Sequence, residues 1–304
     1  MSKDITGLHY ETRMIAERCL AAYLGFACGD ALGATVEFMT PEQIRARFGV
    51  HRDIIGGGWL KLRPGQVTDD TEMSLALGQA IIDRGGWDLR AVAEAFADWL
   101  RSKPVDVGNT CRRGIRRYMI HGTLSSSPRE HDAGNGACMR NLPVVLATLS
   151  NDTDFQRWSV EQCHITHHHP LSDAATLALG RMLRILVLGG NRNKCRLTAH
   201  ALIAKYPTFS FTPYPGRAGG YIVETVQTVL HHFFSTDSFE ACVVETVNRG
   251  EDADTTGALA GMLAGALYGL EAIPQRWLDR LDPVCRRRIH EQTRDLLALL
   301  PRSL

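Results

Sequence analysis

Two short acidic clusters stand out in the chain, Thr68-Asp69-Asp70 and Asp252-Ala253-Asp254-Thr255, and each leads into a run of helically spaced apolar or small residues. A single Asp or Thr at such a place is explained by capping, because its oxygen accepts from an unpaired N–H of the first helical turn. Paired carboxylates exceed that need and repel one another, which raises their pKa unless a cation compensates. Asp69 with Glu72 also fits a capping box, but that reading leaves Asp70 unexplained. Asp69, Asp70, Asp252 and Asp254 together carry four formal negative charges, which two divalent cations would neutralise. Thr68 and Thr255 add hydroxyl or carbonyl oxygens, so every donor is hard oxygen and Mn²⁺ or Mg²⁺ is favoured over Zn²⁺.

Other residues could act around such a centre. Asp106 lies in Pro104-Val105-Asp106-Val107-Gly108, where apolar neighbours can keep a carboxyl protonated and suit it to acid or base work. Capping of the helix expected from Thr110 is better served by Asn109, which leaves Asp106 over. Gly134-Asn135-Gly136 reads as standing directly before a helix, where exposed backbone N–H groups attract phosphate, although the spacing is neither a Walker nor a Rossmann fingerprint. His167, His168 and His169 are adjacent but lack an HExxH or cysteine partner, so hydrogen bonding to a phosphate or sugar fits them better than Zn²⁺. Tyr221 ends the irregular stretch 209–220 and could stack on a base or simply pack. Asp30 and Glu37 in GDALGATVEF could serve a site, or be a backbone-bonded charge and a solvated loop residue respectively. Arg112, Arg113, Arg116 and Arg117 read as a solvated helix face.

Helices must position these groups. From Glu11 to Ala31 apolar residues recur at helical spacing, and Gly25, Gly29 and Gly33 fall four apart along one bare face. The helix after Thr255 carries Gly257, Gly261, Gly265 and Gly269. Glycine costs helix propensity, so such faces make sense where two backbones come very close, and the two helices are expected to pair at the centre of the protein. Further helices are expected at Asp88–Arg101, Leu171–Leu188, Ile222–Phe234, Phe239–Asn248 and Pro283–Leu300, with a loop at Gly56-Gly57-Gly58 and no convincing alternating strand. The expectation is an all-α fold, one multi-helix domain over 1–304 with a flexible extension at 1–12.

Composition narrows the class of function. With 34 basic and 33 acidic residues, a net charge of +1 gives no electrostatic case for nucleic acid or an anionic membrane surface. No apolar run reaches a transmembrane length, and the first residues are too polar for a signal peptide. Eight cysteines without CxxC spacing read as reduced core thiols of a cytoplasmic protein.

Taken together, GDALGATVEF, GQVTDDTEMSLAL, PVDVGNTCRRGIRRY, DAGNGACMR, ITHHHPLSDA and GEDADTTGALAGMLAGALYG resemble the ADP-ribosylglycohydrolase family, and the third block points to its nitrogenase-related branch. The resemblance implies an all-α fold with a binuclear Mn²⁺ or Mg²⁺ centre in a cleft, and hydrolysis of the N-glycosidic bond between ADP-ribose and arginine. It implies Thr68, Asp69, Asp70, Asp252, Asp254 and Thr255 as metal ligands, with Asp69 also taking part in catalysis. Glu37 matches a glutamate that approaches or leaves the metals, and Asp106 the acid at the scissile end of the sugar. Asn109, Gly134, Asn135, Gly136 and His167 are carried as substrate-binding positions, the last four on the diphosphate and ribose, and Tyr221 as an adenine-stacking ring. The implied target is ADP-ribosylated dinitrogenase reductase, with a PII signalling protein and a membrane ammonium channel as regulatory partners and reversible membrane association. Another protein target, or a non-catalytic scaffold of the same fold, are the alternatives. The intact acidic motifs argue against the scaffold.

Overall fold

The computed structural model describes residues 5–301, with side chains from residue 12. The chain forms α1 (Ile5–Gly33), α2 (Pro41–Phe48), α3 (Asp69–Arg84), α4 (Leu89–Arg101), α5 (Asn109–His121), α6 (Leu142–Ala147) and α7 (Asp152–His164). The second half adds α8 (Pro170–Val187), α9 (Arg192–Lys205), α10 (Ile222–Ser235), α11 (Phe239–Val247), α12 (Ala253–Tyr268), α13 (Gln275–Arg280) and α14 (Pro283–Ala298). No strand occurs among the described residues, only isolated bridges at Gly57–Leu62 and Gly134–Tyr221. The all-α expectation holds, as one helical domain. Of the expected extension at 1–12, residues 1–4 lie outside the described residues, and from Ile5 the backbone is already helical.

The two glycine-bearing helices pair as expected, antiparallel and nearly backbone to backbone. A Cβ on Gly25 would sit 2.4 Å from the Gly261 carbonyl oxygen, one on Gly29 2.0 Å from that of Gly257, and one on Gly33 2.1 Å from that of Ala253. Such separations exclude any side chain, so the propensity lost at each glycine is offset by packing that only glycine permits. Helix α12 is buried from Ala253 to Ala266 and packs on α1, α8, α10 and α11, which makes it the central helix of the fold. A buried polar tie joins α1 to two further helices, α14 and α3: Tyr23 donates to Gln292 Oε1 at 2.8 Å, and Gln292 Nε2 donates to the Leu75 carbonyl at 2.9 Å. All eight cysteines are free and buried.

Most outer helices start on a conventional cap. Asp88 accepts from Arg90 and Ala91 N–H, Asn151 from Asp154 N–H and Ser238 from Ala241 N–H. The N-caps of α3, α5 and α12 are Thr68, Gly108 and Asp252, and none makes a side-chain cap bond. Two expectations are corrected here. Asn109 is the first residue of α5 and not its cap, and the Asp69–Glu72 box does not form because Thr68 is the N-cap and Asp69 already the first helical residue, while Glu72 accepts from Trp99 Nε1.

Candidate active site

The mouths of α3, α5 and α12 face one another across a cavity of about 500 Å³. Asp69, Asp70, Asp252, Asp254 and Thr255 line it, Asp106 to Arg112 form one wall, and Gly134 to Gly136, His167 and Gly220 contribute to the rest. Glu37, Phe38, Trp59 and Met139 complete the lining. A larger groove of about 1270 Å³ runs between α3 and α4, but its charges, among them Arg84, Arg90, Glu94 and Asp98, are exposed, of both signs and not convergent.

Two helix mouths become one site through a buried hydroxyl network. Thr68 Oγ1 lies 3.0 Å from Asp30 Oδ1, 3.3 Å from Asp254 Oδ2 and 3.4 Å from Asp70 Oδ2. A hydroxyl has one hydrogen, so it satisfies one of these three carboxylates at a time. Thr255 Oγ1 donates to Asp70 Oδ2 at 3.1 Å, while Asp70 Oδ1 is buried with no partner. Asp252 Oδ2 accepts from Asn135 Nδ2 at 2.8 Å, and Asp69 Oδ2 accepts from Gly108 N–H at 3.1 Å, which ties α3 to the start of α5. Oxygens of Glu37, Asp252 and Asp254 lie within 4.8 Å of one another.

Burial sets the electrostatics, with Arg112 the one cationic side chain among the described residues of the cavity lining and its effect felt at Asp106. Asp70 and Asp254 are held well above the usual carboxylate range, first by burial and then by neighbouring acids. Burial, with Asp106 next in importance, pushes Asp69 up to about 8; burial also pushes Glu37 up to about 8 against the opposing bond from Trp59. Asp106 is half-buried, accepts from Val107 N–H at 2.8 Å, and is raised chiefly by burial. Among the described residues no Lys or Arg pairs with Asp30, Glu37, Asp69, Asp70, Asp106, Asp252 or Asp254. An all-oxygen donor set, an orphaned carboxylate oxygen and uncompensated charge fit divalent cations, and the acidic cluster is a possible metal site.

The candidate residues separate clearly. Thr68 sits behind the lining, bonded as above. Asn109, Gly134, Asn135, Gly136 and His167 line the cavity with the acids. Tyr221 is not part of that lining; its ring is exposed while its backbone bridges Gly134. The Gly134-Asn135-Gly136 segment does not stand directly before a helix. It enters a series of turns, and α6 begins only at Leu142, because Asn135 N–H is taken by the Gly220 carbonyl and Ile222 N–H by that of Ala133. Glu37 is buried rather than solvated. The arginine run is not uniformly solvated either, since Arg113 pairs with the buried Asp132 and Arg117 donates to the Ile165 carbonyl.

Two supports were not singled out as supports from sequence. Asp30 is fully buried and accepts from the backbone N–H and hydroxyl of both Thr68 and Thr71, so it fixes the first turn of α3 from below. Burial raises it to about 6, which those bonds oppose. Arg140, also fully buried, donates to Gln162 and Thr166 and lies over the Phe96 ring. Thr166 Oγ1 is 2.8 Å from His167 Nδ1. Because Arg140 already donates to that hydroxyl, its hydrogen is free for Nδ1, and the network assigns the ring proton to Nε2. Burial, then Arg140 and Arg113, push His167 well below its usual pKa and keep it neutral. A donor–acceptor–donor chain recognisable only after folding carried these roles, and buried Arg140 offered no pattern of its own.

Comparison with known proteins agrees with this geometry. The chain is 56% identical to ADP-ribosyl-[dinitrogen reductase] glycohydrolase of Rhodospirillum rubrum, over 94% of this chain and 97% of that protein. It is 31% identical to ADP-ribosylarginine hydrolase Tri1 of Serratia proteamaculans, over 94% of this chain and 80% of that one. A solved structure described as an ADP-ribosylglycohydrolase-related protein complex superposes with a TM-score of 0.83 at 32% identity, covering 94% of this chain and 99% of that one. The ADP-ribosylglycohydrolase family model matches residues 11–303. By its helical fold, its acidic cleft and its likeness along nearly the whole length, the chain belongs to the ADP-ribosylglycohydrolase family.

Proposed function

We propose that this protein hydrolyses the N-glycosidic bond joining ADP-ribose to an arginine side chain, with ADP-ribosylated dinitrogenase reductase as its target. The observation that carries this reading is the 56% identity to the Rhodospirillum rubrum enzyme of that name, together with the acidic cluster around the cavity. Thr68, Asp69, Asp70, Asp252, Asp254 and Thr255 would hold two divalent cations, Mn²⁺ ahead of Mg²⁺, with Glu37 beside them. Cations bound there would neutralise the carboxylates, polarise substrate oxygens and lower the pKa of water.

The chain's own groups do the rest. A departing guanidine needs a proton, and burial raises the Asp106 carboxyl above the usual carboxylate range, the direction a proton donor requires. Asp69, bonded by Gly108 N–H, keeps the Asp106 loop registered against α3. His167 presents Nε2–H beside Gly134 and Gly136, a neutral donor suited to ribose or diphosphate oxygens, and Asn109 lines the same cavity. Tyr221, exposed at the edge, is free to stack on adenine. A PII-type protein and a membrane ammonium channel are the regulatory partners implied by the family resemblance, with membrane association through them; no helix among the described residues is long and apolar enough to cross a membrane.

A second reading keeps the chemistry and changes the target, and the 31% identity to an ADP-ribosylarginine hydrolase favours including it. Purified protein with Mn²⁺ is to be assayed on ADP-ribosyl-arginine, on ADP-ribosylated dinitrogenase reductase and on an unrelated ADP-ribosylated protein. Release of ADP-ribose from the first two, abolished by chelation, is expected. No release from ADP-ribosyl-arginine, or undiminished turnover after exhaustive chelation, would overturn the reading, and equal rates on both proteins would favour the second.

A further inference from the structure

Phe38 and Trp59 form an aromatic lip on the acidic cavity. Their rings are 66% and 52% exposed, lie 5.2 Å apart at 50°, and both line the cavity beside Glu37. Exposing two large rings side by side is costly unless a partner covers them. The backbone is also held in unusual geometry to present them. Phe38 has φ +62, and Glu251, which accepts from Phe38 N–H at 2.6 Å, has φ +54. Left-handed backbone at a bulky residue costs energy and persists where surrounding structure enforces it. The Trp59 loop is held as tightly: a Cβ on Gly58 would lie 2.4 Å from the Ala34 carbonyl oxygen. Trp59 Nε1 donates to Glu37 Oε2 at 2.7 Å, which fixes one edge of the indole.

The occupant can be read from the charges. Aromatic faces set beside the carboxylate of Glu37 and in one cavity with that of Asp106, neither of them among the residues assigned to the cations, suit a flat cation on an aliphatic stem far better than a neutral base joined to a diphosphate. We propose that Phe38 and Trp59 receive the arginine side chain of the modified protein, its guanidinium and methylenes, and so select the amino-acid end of the substrate. This rests on the hydrolase reading above.

The test compares Trp59→Ala, Phe38→Ala and Trp59→Phe with Mn²⁺ present. Trp59→Ala should raise KM for ADP-ribosyl-arginine about 2- to 30-fold, the range of a cation–π contact, while Kd for free ADP-ribose stays unchanged. Phe38→Ala should act in the same direction. Tyr221→Ala should do the opposite, weakening ADP-ribose about 5- to 150-fold, the range of a stacked base, with KM for the arginine end little changed. Trp59→Phe keeps a ring but loses the bond to Glu37, and it should restore most of the KM. An unchanged KM in Trp59→Ala, an equal loss of ADP-ribose affinity, or a Trp59→Phe as impaired as Trp59→Ala would each overturn the proposal. A wild type inactive on ADP-ribosyl-arginine would instead overturn the hydrolase reading.

Discussion

The close pairing of α1 and α12 should control metal binding, and Gly33→Ala tests that coupling. The added Cβ would lie 2.1 Å from the Ala253 carbonyl oxygen and 2.5 Å from Asp254 N, at the mouth that carries the acids. With 3.4 Å an ordinary contact and 3.0 Å a practical floor, the backbones must part by about 0.9 to 1.3 Å. Overpacking of this kind costs ~1–3 kcal/mol. For 304 residues, at about 2.1 cal/mol/K of unfolding entropy each, that is a fall in Tm of roughly 2–5 °C. Sites of this sort tolerate about 0.5 Å of misplacement, so Mn²⁺ affinity should drop by at least about tenfold, a loss of ~1.4 kcal/mol. Gly25→Ala is the control. Its Cβ meets the Gly261 carbonyl oxygen at 2.4 Å, two helical turns from the mouth, so it should lower Tm similarly while sparing metal affinity. Calorimetric titration with Mn²⁺ and thermal unfolding of both variants decide the matter. Equal Mn²⁺ affinity in Gly33→Ala and wild type would refute the argument that this contact positions Asp254.

Asp106→Asn preserves shape but cannot supply a proton; kcat on ADP-ribosyl-arginine should fall ~10²–10⁴-fold with Mn²⁺ stoichiometry and ADP-ribose affinity intact, and a wild-type kcat would remove Asp106 from proton transfer. Stability of the chelated protein should fall as pH rises. Asp69 and Glu37 are raised from 3.8 and 4.5 to about 8 in the folded state, so between those values the folded chain binds more protons than the unfolded one. Their contribution is fully present below about pH 4 and lost as pH climbs through about 8. Mn²⁺, which needs the deprotonated ligands, should raise Tm more at about pH 8 than at about pH 5. A chelated Tm that is flat or rising across this window would contradict the burial argument.

What the sequence determined by itself was local and periodic. The four-residue spacing of Gly25, Gly29 and Gly33, matched by Gly257, Gly261 and Gly265, already required two backbones in contact, because nothing else offsets the cost of glycine in a helix. The surplus of carboxylates at Thr68-Asp69-Asp70 and Asp252 to Thr255 likewise declared a charge problem that capping could not absorb. Only the tertiary structure decided which other groups share that problem. Glu37 joins Asp252 and Asp254 because the turn after α1 folds back over the mouth of α12, and Asp30 becomes a brace because α1 passes beneath α3. Asn109 lost its expected capping role and Gly134-Asn135-Gly136 its expected helix for the same reason: long-range bonds, Gly108 to Asp69 and Asn135 to Gly220, claimed the backbone first. Capping and face periodicity are written within a few residues. The meeting of residues far apart in the chain depends on how whole helices pack, and no short stretch of sequence encodes it.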